Sequence, residues 1–161
     1  MKFIEEIKKR AKNDVKTIIL PEAEDKRVLQ AASKVTKEGF AKVILLGDEE
    51  KITKDCEKYE INLDGVEIIN PLTSNKKEEY KEKLYELRKN KGMTLEEAQK
   101  LLEEPIYFGM MMLKDENSKA DGLVSGAAHS TANTLRPALQ ILKTKPGTKL
   151  VSAFFVMCVP D

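Results

Sequence analysis

The residue types best suited to chemistry are concentrated between residues 120 and 140. A short apolar run at 122–124 predicts a buried strand, and residues 125–131 that follow it are all small or polar. Small side chains let backbone N–H groups approach a bound anion closely. Arg136 adds a planar cation whose N–H donors suit phosphate. This stretch therefore predicts an anion-binding loop, although an ordinary strand–turn–helix junction with Arg136 in solvent fits the same spacing.

The helix that follows the loop is predicted from Pro137. Proline is tolerated in the first turn of a helix, where its missing N–H would have had no partner. The helix should therefore begin near Asn133 or Thr134, with Arg136 close to its positive end. A cation there opposes the helix dipole by up to about 1 kcal/mol, which a bound phosphate would offset.

His129 is the single histidine of the sequence. It could contact a ligand, act as a general base, or order the loop by packing, and the packing role is the simplest. The run 122–126 is one residue out of register with the Gly-x-Ser-x-Gly nucleophile elbow, which disfavours a Ser-His-Asp hydrolase. The sequence contains neither a phosphate-binding Gly-x-x-x-x-Gly-Lys loop nor a Gly-x-Gly-x-x-Gly fingerprint, so nucleotide cofactors are also disfavoured.

Two further arginines lie near the ends of predicted helices. Arg27 follows Asp25 at a helix start, and Arg88 lies near the end of a highly charged helix. Arginine on such a helix is usually solvated, so these residues taken alone predict no site.

Hydrophobic periodicity predicts the elements that would position these residues. The helices are expected at 3–12, from 25 to near 39, at 49–59, 76–91, 94–102 and 105–113, and the strands at 16–20, 41–47, 66–70, 122–124 and 149–159. The alternation of strands and helices predicts an α/β fold with a largely parallel sheet. Thr94 and Glu97 predict a capping box.

Composition narrows the possible partners. The 161 residues are 41% hydrophobic, which suits one domain or slightly more, and 28 basic residues nearly balance 27 acidic ones. This balance predicts binding to neither nucleic acid nor an anionic membrane. No apolar run approaches the roughly 20 residues of a membrane span, and the first residues lack an apolar signal region, so the cytoplasm is the expected location. Cys56 and Cys158 match no disulfide or zinc pattern.

Several runs together resemble a known family. These are residues 121–130 and 134–140, supported by 20–27, 85–92, 152–155 and 159–161. In them the chain resembles phosphotransacetylase, also called phosphate acetyltransferase. The resemblance implies a three-layer α/β/α fold with a largely parallel sheet, similar to the isocitrate/isopropylmalate dehydrogenase-like fold. It also implies two such domains, a cleft between them and a homodimer. Residues 1–147 would form an incomplete first domain, and residues 148–161 the opening strand of a second.

The activity implied by this resemblance is reversible acetyl transfer between acetyl phosphate and coenzyme A. Coenzyme A is then a substrate, and no metal or other bound cofactor takes part. Arg136 and Ser125 would be catalytic, and the substrate-binding residues would be Gly126, His129, Ser130, Thr131, Thr134, Arg88 and Arg27. The family also uses a Ser-Arg pair and an aspartate, proposed as the base for the thiol, from a later half that this sequence does not contain. The isolated chain is therefore not expected to hold the full catalytic set.

Three alternatives remain open from the sequence. A phosphate butyryltransferase would share the fold and the reaction type, although the run from Ser125 to Gln140 favours the acetyl enzyme. A non-catalytic module that senses acyl-coenzyme A or acetyl phosphate would bind without turnover. A bare structural fragment would bind no ligand.

Overall fold

A computed structural model describes residues 2–154 and 156–158, and its centre is a parallel sheet. The four strands are β1 (Lys16–Leu20), β2 (Ala41–Leu46), β3 (Glu67–Ile69) and β4 (Gly122–Leu123). Their order across the sheet is β3-β2-β1-β4, and every pairing is parallel. The chain therefore builds outward from β1 to β3 and then returns to add β4 on the other side of β1. The predicted α/β class and parallel sheet are confirmed.

Seven helices accompany the sheet in the described part of the chain. They are α1 (Lys2–Asn13), α2 (Lys26–Glu38), α3 (Glu49–Tyr59), α4 (Lys77–Arg88), α5 (Leu95–Leu102), α6 (Pro105–Lys114) and α7 (Thr131–Ile141), with a short 3₁₀ turn at Lys89–Lys91. None of these helices is long and apolar enough to cross a membrane.

The two faces of the sheet carry separate cores, because successive side chains of a strand point to opposite faces. On β2, Val43 and Leu45 pack against α2 and α3, while Ile44 and Leu46 pack against helices of the other face. That other face is covered by residues of α4, α5, α6 and α7. The result is the three-layer α/β/α arrangement that the resemblance implied.

The apolar helix α6 lies directly against the sheet. It is buried on several sides, since all seven residues from Ile106 to Met112 are buried. Gly109 makes the close approach possible, because a Cβ at this position would lie 2.7 Å from Leu123 Cδ1 and 3.1 Å from Leu46 Cδ1. The same helix carries Tyr107, which contacts α7.

Helix α7 begins earlier than the sequence predicted. Ser130 caps it, because its Oγ accepts a hydrogen bond from the Asn133 N–H at 3.3 Å. Pro137 therefore lies inside the helix and not in its first turn, and the prediction of a start near Asn133 or Thr134 is wrong. Arg136 lies about 9 Å along the axis from the cap. The expected conflict with the helix dipole is correspondingly weak, since the effect falls off within the first turn.

The strand predicted at 149–159 does not form at the described residues of this run. Leu150 is 80% exposed and Phe154 is 87% exposed. A strand needs hydrogen-bonding neighbours, and the described part of the chain provides none for this run. Phe155 and residues 159–161, part of the same prediction and of the resemblance, lie outside the described residues. An opening strand of a second domain therefore remains a prediction.

Candidate active site

The predicted loop lies at the carboxyl end of the sheet, between β1 and β4. β1 ends at Leu20 and leads through Pro21 to Glu22, while β4 leads through Val124 to the loop. The Val124 N–H donates to the Ile19 carbonyl at 3.0 Å, which keeps the two exits side by side. The order of strands reverses at this point, and ligands of open α/β sheets bind in the crevice at such a reversal.

The loop encloses the carboxylate of Glu22. Four consecutive backbone N–H groups donate to it, those of Gly126 and Ala127 to Oε2 at 2.8 and 2.9 Å, and those of Ala128 and His129 to Oε1 at 2.9 and 2.8 Å. Glu22 is only 1% exposed. The loop thus binds an anion as its composition predicts, but the anion belongs to this chain. These four N–H groups are therefore not free to bind a ligand in this arrangement.

The His129 ring contacts the same carboxylate, with Nδ1 2.7 Å from Glu22 Oε1. Burial raises the pKa of Glu22, but the hydrogen bonds from Ala128, Ala127 and His129 outweigh it and lower that pKa to about 2. Glu22 is therefore ionised at neutral pH and can only accept hydrogen bonds, so His129 Nδ1 carries a proton. In the neutral ring the lone pair then lies on Nε2.

Arg27 holds the loop from the α2 side. Its Nη2 donates to the Ala127 carbonyl at 2.6 Å and to Asp25 Oδ2 at 2.6 Å, and its Nε donates to Asp25 Oδ1 at 3.0 Å. Asp25 is also the N-cap of α2. The Arg27 hydrogen bonds hold the pKa of Asp25 below its ordinary value. The side chain of Arg27 is nevertheless 71% exposed, so its remaining donors can reach a ligand.

The hydroxyl residues after the loop organise the start of α7. The Ser130 carbonyl accepts from the Thr134 N–H at 3.0 Å and from Thr134 Oγ1 at 3.2 Å. Thr131 is the first residue of the helix and is exposed. The predicted residues Ser130, Thr131 and Thr134 therefore share one helical turn beside the enclosed carboxylate.

The charges of Arg88 and Arg136 both act on Tyr107. The Tyr107 hydroxyl donates to Gln140 Oε1 of α7 at 2.8 Å. Burial and the charge of Glu104 raise the pKa of this hydroxyl, while the positive charges of Arg136 and Arg88 lower it. On balance the pKa of the Tyr107 hydroxyl lies above its ordinary value, and the two arginines that act on it belong to different helices.

Two polar atoms are buried without a hydrogen-bond partner among residues 2–154 and 156–158, namely Arg88 Nε and Ser125 Oγ. Buried polar groups in folded proteins are nearly always paired, so each exception needs an explanation. Both belong to residues predicted for the site. An ordered water or a bound ligand would give each of these atoms a partner.

Sequence reasoning missed the central residue of this arrangement. Glu22 appeared only within the run 20–27, and Tyr107 and Gln140 were not considered as part of the site. A signal for Glu22 was present, since it is an acidic residue that directly follows a buried strand and lies between Pro21 and Ala23. An acceptor for the loop N–H groups could therefore have been sought at the carboxyl end of β1.

Comparison with known proteins decides the family. The family model for phosphate acetyl/butaryl transferases matches residues 2–161. The chain belongs to this family.

Among the described residues, no group of three or more His, Cys, Asp or Glu side chains is placed to hold a metal ion.

Family members of known name and structure match nearly the whole chain. It is 57% identical over 161 residues to the phosphate acetyltransferase of Acetivibrio thermocellus and 51% identical to that of Clostridium acetobutylicum, each alignment covering 100% of this chain. Among solved structures, the EutD phosphotransacetylase from Staphylococcus aureus is 44% identical with a TM-score of 0.82, and a phosphotransacetylase from Streptococcus pyogenes is 40% identical with a TM-score of 0.84, each covering 92% of this chain.

These family members are considerably longer than the chain. The matches cover 47% and 48% of the two curated relatives and 44% of each of the two solved chains. The chain therefore spans about half the length of the relatives that it matches.

Proposed function

We propose that the protein to which this chain belongs transfers acetyl groups reversibly between acetyl phosphate and coenzyme A. The observation that carries the proposal is that two residues predicted for the site, Arg88 and Ser125, each keep a buried polar atom without a partner among the described residues. The family membership and the 57% identity to a phosphate acetyltransferase support the same chemistry. This chain contributes its share of the site as roughly the first half of such an enzyme.

In the proposed reaction the thiolate of coenzyme A attacks the acetyl carbonyl carbon of acetyl phosphate. The carbonyl oxygen takes up the electron pair, and the tetrahedral intermediate then expels phosphate as the C–O bond breaks. The products are acetyl-coenzyme A and phosphate, and the proton of the thiol leaves with a base. Such a site must hold two anionic substrates close together and stabilise a developing oxyanion. Arginine suits both tasks because it stays charged and donates bidentate hydrogen bonds.

We assign the catalytic roles to Arg136 and Ser125. Arg136 is exposed on α7 and can donate to a phosphoryl oxygen. The Ser125 hydroxyl is buried in this arrangement, and we propose that it turns towards a substrate oxygen when the substrate binds. Arg27 and Arg88 then bind phosphate groups of acetyl phosphate or coenzyme A from either side.

The loop and the first turn of α7 complete the proposed substrate surface. Because the N–H groups of residues 126–129 donate to Glu22, the loop meets the substrate through other atoms. Gly126 adds open space, since nothing lies within 4 Å of where its Cβ would be. The side chains of His129, Ser130, Thr131 and Thr134 provide polar contacts.

The proposal also covers association with other protein surfaces and the location of the enzyme in the cell. Exposed apolar residues support association with further protein surface, namely Leu135 and Leu139 on α7, Leu142 just after it, Leu150 and Phe154. We infer a second domain and a homodimer. Coenzyme A reacts as a free thiol, so we place the enzyme in the cytoplasm, where thiols stay reduced.

The test is formation of acetyl-coenzyme A from acetyl phosphate and coenzyme A by the protein as its gene encodes it. We expect turnover with acetyl phosphate that exceeds turnover with butyryl phosphate. Preference for the butyryl substrate would identify a phosphate butyryltransferase. Saturable binding of coenzyme A or acetyl phosphate with no turnover would show that the protein is a sensing module and not an enzyme. Absence of both binding and turnover would contradict the proposal altogether.

A further inference from the structure

Glu22 has no direct contact in the proposed reaction, yet its side chain makes more hydrogen bonds than that of any predicted site residue. Its carboxylate accepts four backbone N–H groups and the ring N–H of His129 from residues at least 104 positions later in the chain. It is buried, so it does not meet the substrate itself. A buried ionised group is costly unless it is fully paired, so its presence in this position requires a reason.

The loop around Glu22 cannot fix its own shape. Residues 126–128 are Gly, Ala and Ala, whose side chains are too small to pack the backbone in place. Gly126 has a φ of 113°, a conformation that L-residues rarely adopt. Four N–H groups that point at one spot repel one another unless an anion lies between them. The carboxylate is therefore what gives the loop its shape.

We propose that Glu22 is a positioning residue of the acetyl transfer site, which folds residues 126–129 around its carboxylate and sets the ring nitrogen that His129 presents. This inference rests on the proposed function. Ser125 precedes the enclosed residues and Ser130 follows them, so the position of both hydroxyls depends on the same carboxylate.

The effect on His129 is chemical as well as steric. Because the Glu22 carboxylate only accepts hydrogen bonds, Nδ1 keeps its proton and the neutral ring carries its lone pair on Nε2. The ring is 29% exposed and can therefore be reached by a ligand. Glu22 thus prepares His129 to accept a hydrogen bond at Nε2 from a protonated phosphate oxygen or from a thiol.

The decisive variant is Glu22→Gln, which keeps the shape but offers one acceptor oxygen and one NH₂ group. The NH₂ group would face N–H donors on one side of the loop, so at least one pair of N–H groups would lose its acceptor. Glu24→Gln is the matched control, because Glu24 lies two residues later and is exposed. Both variants are made in the protein as its gene encodes it.

Three measurements are compared, namely kcat/KM for acetyl phosphate, the hydrogen exchange of backbone amides 126–129, and the ring ¹⁵N spectrum of His129, assigned through its loss in His129→Gln. We expect the wild-type ring to carry its proton on Nδ1. In Glu22→Gln we expect a mixture of ring tautomers, faster amide exchange and a loss of about tenfold or more in kcat/KM, while Glu24→Gln stays within about twofold.

The inference would be overturned if folded Glu22→Gln had the same kcat/KM as the wild type. It would also be overturned if the His129 ring of the wild-type protein carried its proton on Nε2. If the wild type itself catalyses no acetyl transfer, the proposed function fails, and the ring spectrum still decides whether Glu22 sets the nitrogen of His129. If Glu22→Gln does not fold, Glu22→Asp takes its place, since it keeps the charge but is one methylene shorter. An undiminished rate in Glu22→Asp would then contradict the positioning role.

Discussion

Glu22 Oε1 lies 2.7 Å from the ring nitrogen Nδ1 and 2.8 Å from the backbone nitrogen of His129, a residue 107 positions later in the chain. This double contact joins the exit of β1 to the loop after β4. It converts a stretch of small residues, which has little structure of its own, into a defined edge of the crevice. The stability and the chemistry of the site therefore depend on one buried negative charge.

The first prediction concerns stability at acidic pH. The pKa of Glu22 falls from its ordinary value of 4.5 to about 2 on folding, so this group contributes stability above pH 4.5 that is lost as the pH falls towards 2. The contribution at neutral pH is on the order of 3 kcal/mol. Urea unfolding of wild type and Glu22→Gln between pH 2 and 7 should show a difference in unfolding free energy that shrinks on acidification. A difference that is constant across this range would contradict the paired carboxylate.

The second prediction separates activity from stability at Ser125. Removal of a buried hydroxyl that has no partner costs the free protein nothing in hydrogen bonds. Ser125→Ala should therefore leave the unfolding free energy unchanged or raise it, while kcat/KM for acetyl phosphate falls about tenfold or more. Ser33→Ala on α2 is the control for loss of a hydroxyl elsewhere. A parallel fall in stability and activity would mean that Ser125 Oγ has a structural partner.

The third prediction concerns the charge of Arg136. Arg136→Ala should lower kcat/KM by about 10- to 1,000-fold, the usual range for loss of a charge-assisted contact to phosphate. Arg10→Ala on the exposed face of α1 removes the same charge far from the crevice and should have no effect. Steady-state kinetics with both substrates varied would measure the two effects. Equal kinetics for the two variants would exclude Arg136 from the site.

The fourth prediction compares two helix caps. Ser130 caps α7 beside the crevice, and Thr94 caps α5 in the capping box, where its Oγ accepts from Glu97 N–H at 3.1 Å. Ser130→Ala and Thr94→Ala should each cost about 1 kcal/mol of unfolding free energy. Only Ser130→Ala should also lower kcat/KM, because α7 carries Arg136. Thermal or urea unfolding together with kinetics would show whether the two effects separate.

Local signals predicted much of the fold correctly. The bounds of β1 and α3 match the predicted 16–20 and 49–59, because each is delimited by polar or turn residues next to a clear hydrophobic period. The capping box at Thr94 and Glu97 formed for the same reason, since its partners are three residues apart. The predicted start of α7 was wrong because it assumed that Pro137 must lie in the first turn, whereas the helix begins at the Ser130 cap and contains Pro137.

The candidate site was predictable only in part. The loop, Arg27 and Ser125 could be chosen from residue types and resemblance, and the structure brings Arg27 into contact with the loop at Ala127. The carboxylate inside the loop could not be predicted from spacing, because Glu22 lies 104 or more positions before the loop residues that it contacts. The joint effect of the Arg88 and Arg136 charges on Tyr107 likewise depends on how α4, α6 and α7 pack. The catalytic and binding roles themselves remain predictions.

The position of β4 has a consequence for the order in which the chain folds. Strands β1 to β3 pair within residues 16–69, so they need only contacts that are close in sequence. The bonds to Glu22 must instead close a segment of 104 residues or more, and long closures slow folding. During synthesis the early strands can assemble while the loop is still being made. We therefore expect Glu22 to gain its hydrogen-bond partners, and the crevice to form, only late in folding.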